Sequence, residues 1–377
     1  MNKSKNLELI SMITFILGTK AELIKCMPVM KELEKRKIDY YFIHTGQHSI
    51  IDLVRDFEVK EPDIILYQPP KISSRFMVKT HKAIFWGLNL IPKIRRLLNK
   101  IQPDHVLYHG DTLSTAATAI GSSKLLNPLK EWKNAHLEAG LRSGSLTEPF
   151  PEEISRRIAD KFSDILFAPS DLSVENLKKE KLKGEIVKVG NTIVDSILIS
   201  LKLAKKKRLK KLKEKEYVVV NIHRHENIKS KERMRKIVEI IKSVSLPIFW
   251  PIHDNTKNQL EKFRFWKDLQ EGRINFSPLV GYIEFLWLIK NSTYLITDGG
   301  SIQEESLALK KPCILLREKT ERQEGLKTGI NFLTGLDVNY TRKIIKKLES
   351  GKFKVPKFKN PYGDGKAAKR IVDYLVK

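Results

Sequence analysis

The sequence predicts an α/β protein made of two doubly wound parallel sheets with helices on both faces. Short apolar runs alternate with segments of helical periodicity, and this rhythm occurs twice along the 377 residues. A strand followed by a helix, repeated, is the pattern of a parallel sheet. The length suffices for two domains that each bury a core. We therefore expect two Rossmann-like domains that face each other across a cleft, with ligands at the carboxyl ends of the strands.

The first domain is predicted from five apolar runs: ISMITFIL, YYFIHT, DHVLYHG, NAHLEA and SDILFAPS. A helix is predicted between the first two runs, because apolar residues recur there at helical spacing, namely Leu23, Met27, Met30 and Leu33. The first run follows a short basic start, as in a signal peptide. However, GTKAELIK stands where a small-residue cleavage site belongs, so we interpret the run as a strand.

The second domain is predicted from the runs YVVVNIH, LPIFWPIH, STYLITDGG and KPCILL. Between the first two, a helical pattern follows a candidate cap at Ser230 and contains Met234, Ile237, Val238 and Ile241. We place the domains at residues 1–185 and 186–360, and we expect a last helix within 361–377 to pack back on the first domain.

Charge and cysteine content limit the partners and the compartment. The formal net charge of +26 would suit a nucleic-acid binder, but the lysines are spread along the chain, with one dense run at 205–215. No RNA-binding signature or Cys/His finger accompanies them, so we expect a solvated basic surface and no nucleic-acid partner.

The only cysteines, Cys26 and Cys313, lie far apart in the sequence, which favours a reducing cytoplasm. No apolar stretch approaches the roughly 20 residues of a membrane span.

Two glycine-containing loops are candidate anion sites. In LGTKAE, Gly18 joins the first strand to a helix, whose first amides point at any bound anion. In ITDGGSIQEES, the residues Gly299, Gly300 and Ser301 lie between a strand and a helix, where amides and a hydroxyl bind phosphate. The alternative for both loops is a tight turn, with Ser301 as an ordinary helix cap.

Acidic residues follow successive strands of the first domain. Asp111 in HGDT and Glu138 in HLEAG each end a strand, and Glu152 and Glu153 in PFPEE begin a helix. Helix capping by Asp111 and a favourable helix dipole at Glu152 or Glu153 would explain each acid separately. If these acids lie together on one rim, however, like charges and burial make their pKa values differ from one another. The group then contains both proton donors and proton acceptors.

Histidines follow strands of the second domain. His223 and His225 in NIHRHEN, with His253 and Asp254 elsewhere, offer a zinc alternative, although the ligand set is incomplete. We prefer contact of His223 or Arg224 with phosphate, and we expect no metal.

Ten motifs, in order, resemble those of the non-hydrolysing UDP-N-acetylglucosamine 2-epimerases. They are GTKAELIKCMPV, TGQH, HGDT, HLEAGLRSG, PFPEEISRRIAD, LFAPS, VGNTIVD, IHRHEN, TDGGSIQEES and TERQEG, and they span about residues 16 to 335. The resemblance implies the two-domain GT-B architecture with UDP bound by the second domain, and no cofactor. The family is often dimeric and supplies polysaccharide biosynthesis, so a homodimer is a further expectation.

The resemblance also implies a mechanism. A base removes the proton at sugar C2 while UDP leaves from C1, and the resulting glycal takes UDP back with a proton delivered to the other face of C2. The catalytic positions of the family correspond here to Asp111, Glu138, Glu152 and His223. Arg142 and Arg157 are implied supports of the acids. The implied substrate contacts are Gly18, Lys20, Lys25, Gln47, His48, Arg142, His253, Gly299, Gly300, Ser301, Glu305, Arg322 and Glu324, with Glu324 on the ribose hydroxyls.

The chain departs from the family pattern at several points. GTRPE of the family is GTKAE here, so Lys20 replaces an arginine and keeps its charge without the planar fork. TDSGG becomes TDGGS, and TERPE becomes TERQE, which loosens that turn. Residues 68–95 bear little likeness to the family, so we do not expect its regulatory substrate site.

Three other functions stay open from the sequence. They are a glycosyltransferase of the same architecture, a hydrolysing epimerase that releases free N-acetylmannosamine, and a non-enzymatic anion or nucleic-acid binder. A transferase has no need of three clustered acids, and PFPEE and AGLRSG resemble the non-hydrolysing branch. The sugar also stays open between an N-acetylhexosamine and a diacetamido or uronic acid variant.

Overall fold

The computed structural model describes residues 12–68, 80–144, 151–209, 212–270 and 272–377, with the backbone alone for 80–82. The chain forms two compact units. The first unit ends at Ser196 and resumes at Tyr362, and the second unit is Ile197–Pro361.

Within its described residues, the first unit contains a seven-stranded parallel sheet in the order β3-β2-β1-β4-β5-β6-β7. Its strands are β1 (Ile13–Leu17), β2 (Tyr40–His44), β3 (Ile64–Ile65), β4 (His105–His109), β5 (Lys133–Leu137), β6 (Ile165–Ala168) and β7 (Glu185–Lys188). Its helices are α1 (Lys20–Lys35), α2 (Ile51–Phe57), α3 (Thr80–Ile101), α4 (Leu113–Ser122), α5 (Glu152–Phe162) and α6 (Asp171–Lys179). Helix α7 (Thr192–Lys206) begins in this unit and ends in the second.

The described part of the second unit contains a six-stranded parallel sheet in the order β10-β9-β8-β11-β12-β13. Its strands are β8 (Val218–Asn221), β9 (Ile248–Pro251), β10 (Ile274–Ser277), β11 (Tyr294–Thr297), β12 (Cys313–Leu315) and β13 (Asn331–Leu333). Its helices are α8 (His225–Lys229), α9 (Lys231–Lys242), α10 (Asp254–Lys262), α11 (Trp266–Gln270), α12 (Tyr282–Asn291), α13 (Ile302–Leu309), α14 (Gln323–Leu326) and α15 (Val338–Glu349).

Helix α16 (Ala367–Leu375) returns to the first unit. It contacts α1, and an ion pair of 2.7 Å joins Arg36, which ends α1, to Asp373. At the other end of α16, Asp195 of α7 accepts hydrogen bonds from the amides of Ala367 and Ala368 at 3.2 and 3.1 Å. The C-terminal segment is thus anchored to the first unit at both ends.

The central strands form because their side chains are apolar on both faces. All residues of β1, β6, β8 and β11 are buried, as parallel sheets covered on both faces require. Around the second sheet, Trp250, Ile237 and Leu260 belong to one buried cluster, and each such side chain contributes about 1.5–3 kcal/mol by leaving water. The predicted cap at Ser230 is confirmed, since its hydroxyl accepts the amide of Arg233 at 3.3 Å.

Both sheets have the strand order of a doubly wound fold, which confirms the prediction of two such domains. The order reverses between β1 and β4 in the first unit and between β8 and β11 in the second. A crevice opens at the carboxyl ends of the strands at such switch points. The residues that follow these four strands therefore border the crevice in which a ligand is expected.

Candidate active site

Glu138 directly follows β5 and is held by two partners. Its backbone has φ of 69°, a left-handed conformation that costs a non-glycine residue of order 1–3 kcal/mol. One carboxylate oxygen, Oε1, is ion-paired with the buried Lys25 of α1 and accepts a hydrogen bond of 2.9 Å from the side-chain amide of Asn191. The carboxylate of Glu138 is therefore fixed in place and faces a compensating charge.

Asp111 follows β4 and does not cap the next helix. The cap of α4 is Thr112, whose hydroxyl accepts the amide of Thr115 at 3.1 Å. Asp111 is instead ion-paired with Arg156 of α5, a guanidinium that is only 1% exposed. The capping alternative for Asp111 is thus wrong, and its carboxylate is held by a buried cation.

Asp111 and Glu138 lie side by side, just beyond the carboxyl ends of two neighbouring strands. Strands β4 and β5 are paired, with His109 opposite Leu137. A methyl group added at Gly110 would lie 3.9 Å from Oε2 of Glu138, so this carboxylate covers the residue that precedes Asp111.

The two acids at the start of α5 differ in their surroundings. Glu153 is completely buried and pairs with Arg156 at 2.6 Å and with Arg157 at 3.1 Å, which is a structural environment. Glu152 is half-buried and lies one helical turn before Arg156, on the same face of α5. Arg156 in turn contacts Asp111. The structure therefore brings Asp111 and Glu138 to one rim, and Glu152 lies on the helix that supplies the partner of Asp111.

Arg142, a predicted substrate contact, is engaged within the chain. Its guanidinium binds Glu180 through two bonds of 2.7 Å and Asp160 at 2.7 Å. Although burial opposes its charge, these carboxylates raise the pKa of Arg142. Arg157 joins the same group through Glu180 at 2.8 Å. These contacts tie Glu180 to Asp160 of α5, and neither carboxylate is one of the candidate acids.

The turn after β1 already binds a carboxyl group from within the chain. The carboxylate of Glu22 accepts the amides of Gly18 and Thr19 at 2.5 and 2.9 Å and the hydroxyl of Thr112. Burial raises the pKa of Glu22. The predicted phosphate site cannot use these two amides, whereas Lys20 is exposed at the first position of α1. The Thr-x-x-Glu spacing of Thr19 and Glu22 is a capping box and was readable from the sequence.

Gln47 and His48 lie beside this turn. The side-chain oxygen of Gln47 accepts the hydroxyl of Ser114, in the first turn of α4, at 2.7 Å. The amide of His48 donates to the carbonyl of Gly18 at 2.9 Å. Burial and the nearby charge of Lys20 lower the pKa of His48, so its ring is neutral at pH 7. The predicted contacts of the first unit thus border the switch point between β1 and β4.

His223 and Asp298 meet at the switch point of the second unit. The completely buried carboxylate of Asp298 accepts the amides of His223 and Arg224, both at 3.0 Å. Nδ1 of His223 is 3.1 Å from the side-chain oxygen of Asn221 and 3.5 Å from Asp298. Two acceptors at Nδ1 favour a proton on that nitrogen, which leaves Nε2 as the reactive atom of the ring.

The rings of His223 and His253 stack, with centroids 4.7 Å apart. The His223 side chain is 40% exposed, yet desolvation by the surrounding protein lowers its pKa despite the attraction of Asp298. Burial, reinforced by His223, lowers the pKa of His253 to about 4. Both rings are therefore neutral at pH 7. Among the described residues, no group of three or more His, Cys, Asp or Glu side chains is placed to hold a metal ion.

The depressed pKa of His253 makes stability depend on pH. Below its unfolded pKa near 6.5 the unfolded chain binds a proton that the folded chain refuses until about pH 4, so we expect stability to fall as the pH drops through this window. Thermal unfolding from pH 7 to 4 measures the effect. His253→Gln should flatten the dependence, and the exposed His225 replaced by glutamine is the matched control. Equal slopes in both variants would contradict the assignment.

The loop after β11 meets a cluster of charged side chains. Ser301 begins α13 without a capping hydrogen bond from its side chain, so it is not an ordinary helix cap. A methyl group added at Gly300 would lie 3.1 Å from the Arg322 guanidinium. Arg322 is ion-paired with Glu321 and lies 3.2 Å from Glu304. Gly300, Ser301 and Arg322 are therefore together at the N-terminus of α13.

Three guanidinium groups surround Glu321, and we call Arg224, Arg317 and Arg322 the arginine cluster. Despite its burial, their charges lower the pKa of Glu321. Arg317 is 7% exposed and binds Glu321 at 3.0 Å, while its Nη1 has no hydrogen-bond partner among the described residues. Burial lowers the pKa of Arg317 although Glu321 opposes the shift. A buried guanidinium with an unsatisfied nitrogen, beside two further arginines, is the environment of an anion site.

The remaining predicted substrate contacts of the second unit lie on α13, on α14 and on the loop before α13. Glu305 is buried in the first turn of α13 and accepts the hydroxyl of Tyr282 at 3.1 Å. Glu324 is half-buried in the first turn of α14, two residues after Arg322. Gly299 donates its amide to the hydroxyl of Thr297 at 2.9 Å, which shapes the loop. None of these positions conflicts with a polar ligand at the carboxyl edge of the second sheet.

Comparison with known proteins adds an independent finding. A family model described as UDP-N-acetylglucosamine 2-epimerase matches residues 31–376. The UDP-N-acetylglucosamine 2-epimerase of Methanocaldococcus jannaschii is 38% identical to this chain over 378 residues, covering 97% of this chain and 98% of the relative. No helix in the described ranges is long and apolar enough to cross a bilayer.

Solved structures show the same fold. A crystal structure of M. jannaschii UDP-GlcNAc 2-epimerase in complex with UDP-GlcNAc and UDP has a TM-score of 0.81 at 35% identity, covering 97% of this chain and 99% of that one. The UDP-GlcNAc 2-epimerase of Neisseria meningitidis bound to UDP-GlcNAc has a TM-score of 0.82 at 28% identity with the same coverage. The predicted fold class, two Rossmann-like domains of the GT-B type, is confirmed.

Proposed function

The chain belongs to the UDP-N-acetylglucosamine 2-epimerase family of isomerases, and we propose that it interconverts UDP-N-acetylglucosamine and UDP-N-acetylmannosamine without net hydrolysis. The observation that carries this proposal is that Asp111 and Glu138 lie together after the paired strands β4 and β5. Glu152, on the helix whose Arg156 pairs with Asp111, is proposed as the third acid. Inversion at a carbon through proton removal and return requires acids on both of its faces.

The reaction consists of an elimination and its reversal. A carboxylate takes the proton from C2, the C1–O bond to the diphosphate breaks, and the products held in the site are a 2-acetamidoglycal and the UDP anion. In the second half, a carboxylic acid on the opposite face gives a proton to C2, and a diphosphate oxygen of UDP forms the new bond to C1. No atom is lost, so the products are UDP-sugars alone.

The partners of the acids support their roles. Asp111 is ion-paired with Arg156 and Glu138 with Lys25, so each carboxylate is held in place by a cation. Arg142 and Arg157 both pair with Glu180, and Arg157 also pairs with Glu153, so they stabilise the helix α5 that carries Glu152.

The second unit supplies what the departing diphosphate needs. Negative charge develops on the leaving oxygens, and preorganised cations and amides stabilise such charge without reorganisation. The arginine cluster and the N-terminus of α13 offer both. The protein lowers the pKa of His223, and a neighbouring dianion raises it again, so His223 can take up a proton and assist departure through Nε2. We also propose that His253 and Lys20 contact the UDP-sugar substrate.

Incubation with UDP-N-acetylglucosamine alone tests the proposal. We expect a constant mixture of two UDP-sugars, separable by anion-exchange chromatography and reached from either side. Free UDP with an equal amount of free N-acetylmannosamine would instead identify a hydrolysing enzyme. No change without an acceptor would contradict epimerisation and favour a transferase. Parallel incubations with diacetamido and uronic acid UDP-sugars identify the preferred sugar, and sedimentation measures the proposed homodimer.

A further inference from the structure

Asn191 connects the proposed catalytic carboxylate to the end of the chain. It is 2% exposed and directly precedes α7. Its side-chain nitrogen donates to Oε1 of Glu138 at 2.9 Å, and its side-chain oxygen accepts the amide of Ile193 at 3.0 Å. Since the amide of Ile193 can only donate, it fixes which end of the Asn191 side chain faces Glu138.

The backbone of Asn191 is held by the C-terminal segment. Its amide donates to the carbonyl of Tyr362 at 2.7 Å, at the point where the chain re-enters the first unit. Close approach is possible because Gly190 lacks a side chain: a methyl group there would lie 3.3 Å from the Tyr362 carbonyl oxygen. Gly190 also has φ of 93°, which side chains disfavour.

We infer that Asn191 is a positioning residue for Glu138. We also infer that the C-terminal segment from Tyr362 to Leu375 helps to orient this carboxylate, because the Tyr362 carbonyl holds the backbone of Asn191. The inference rests on the proposed function. Lys25 supplies charge, but an ammonium has three rotatable donors and tolerates movement of its partner. The planar amide of Asn191 is fixed at both ends and therefore sets the direction of the carboxylate, whose backbone conformation is itself strained.

Replacement of Asn191 by alanine tests the direction-setting role. We expect kcat to fall about 10- to 100-fold, the range for losing a hydrogen bond to a charged group, with KM within about threefold. The acid limb of the kcat/KM profile should move to higher pH, because Glu138 loses a donor that favours its charged form. Asn127→Ala is the matched control, since Asn127 is also buried and bonds through its side-chain nitrogen, to Gly121 at 3.2 Å.

Asn191→Asp is a second variant of nearly the same size. A second carboxylate beside Glu138 disfavours ionisation, so the acid limb should move further to higher pH than in the alanine variant. Gly190→Ala, which displaces Tyr362, should reproduce the loss of kcat and add little to Asn191→Ala in the double variant. Additive losses would overturn the part assigned to the C-terminal segment.

The outcomes separate this inference from the proposed function. If the wild-type protein epimerises but Asn191→Ala behaves as Asn127→Ala does, the positioning role is overturned and the function stands. A thermal-unfolding cycle of Asn191→Ala, Glu138→Gln and the double variant needs no activity. Non-additive midpoint shifts support the link between the two side chains, and additive shifts overturn it, even if the wild-type protein does not convert the substrate.

Discussion

Glu138→Gln is expected to lower turnover of UDP-N-acetylglucosamine by about two or more orders of magnitude while UDP affinity stays within about threefold. Glutamine keeps the size of the side chain and an oxygen that Lys25 can approach, but it cannot take a proton from C2. Because UDP is assigned to the second unit, its binding should not depend on this carboxylate. Initial rates and titration calorimetry with UDP measure the two quantities separately.

Asp111→Asn is expected to show the same separation of turnover and UDP binding. The control for both variants is Glu175→Gln, an exposed carboxylate of α6 in the same unit, which should retain full turnover. Near-normal turnover in both Glu138→Gln and Asp111→Asn would refute the assignment of these acids.

The largest effect on stability is expected for Arg156→Met. Arg156 is 1% exposed and pairs with Asp111 and with the completely buried Glu153. Methionine fills much of the space but leaves the buried carboxylate without its main partner. Breaking one side of a buried ion pair costs about 3–5 kcal/mol, so we expect the free energy of unfolding in urea to fall by that amount.

Arg157→Met is the matched control for Arg156→Met. Arg157 also pairs with Glu153 from the same helix, but its side chain is 36% exposed, so we expect a loss of about 1 kcal/mol or less. Equal losses of unfolding free energy in the two variants would mean that Arg156 is not the main partner of the buried Glu153 carboxylate.

Most of the fold was readable from the sequence because central strands of a covered parallel sheet are continuous apolar runs. The nine predicted runs coincide with β1, β2, β4, β5, β6, β8, β9, β11 and β12. The four strands that were missed, β3, β7, β10 and β13, are the edges of the two sheets. They are two to four residues long and partly exposed, so they lack the apolar signal.

The location of Asp111 and Glu138 was predictable because each follows a strand in the sequence, whereas their partners were not. Arg156 reads as one arginine of an amphipathic helix, and only the fold brings it to Asp111 from 45 positions away. Asn191 is 53 positions from Glu138. Arg317 lies in a charged loop of a basic chain, where nothing distinguishes it from a solvated arginine. Such pairings are set by tertiary packing and leave no local pattern.

Proton NMR of UDP-N-acetylglucosamine in deuterated water tests the central claim most directly, because it follows the C2 hydrogen itself. We predict that the wild-type protein replaces this hydrogen by deuterium in both UDP-sugars as UDP-N-acetylmannosamine accumulates, and that Glu138→Gln slows both processes together. Conversion that retains the original hydrogen at C2, or no conversion at all, would contradict proton transfer by these acids.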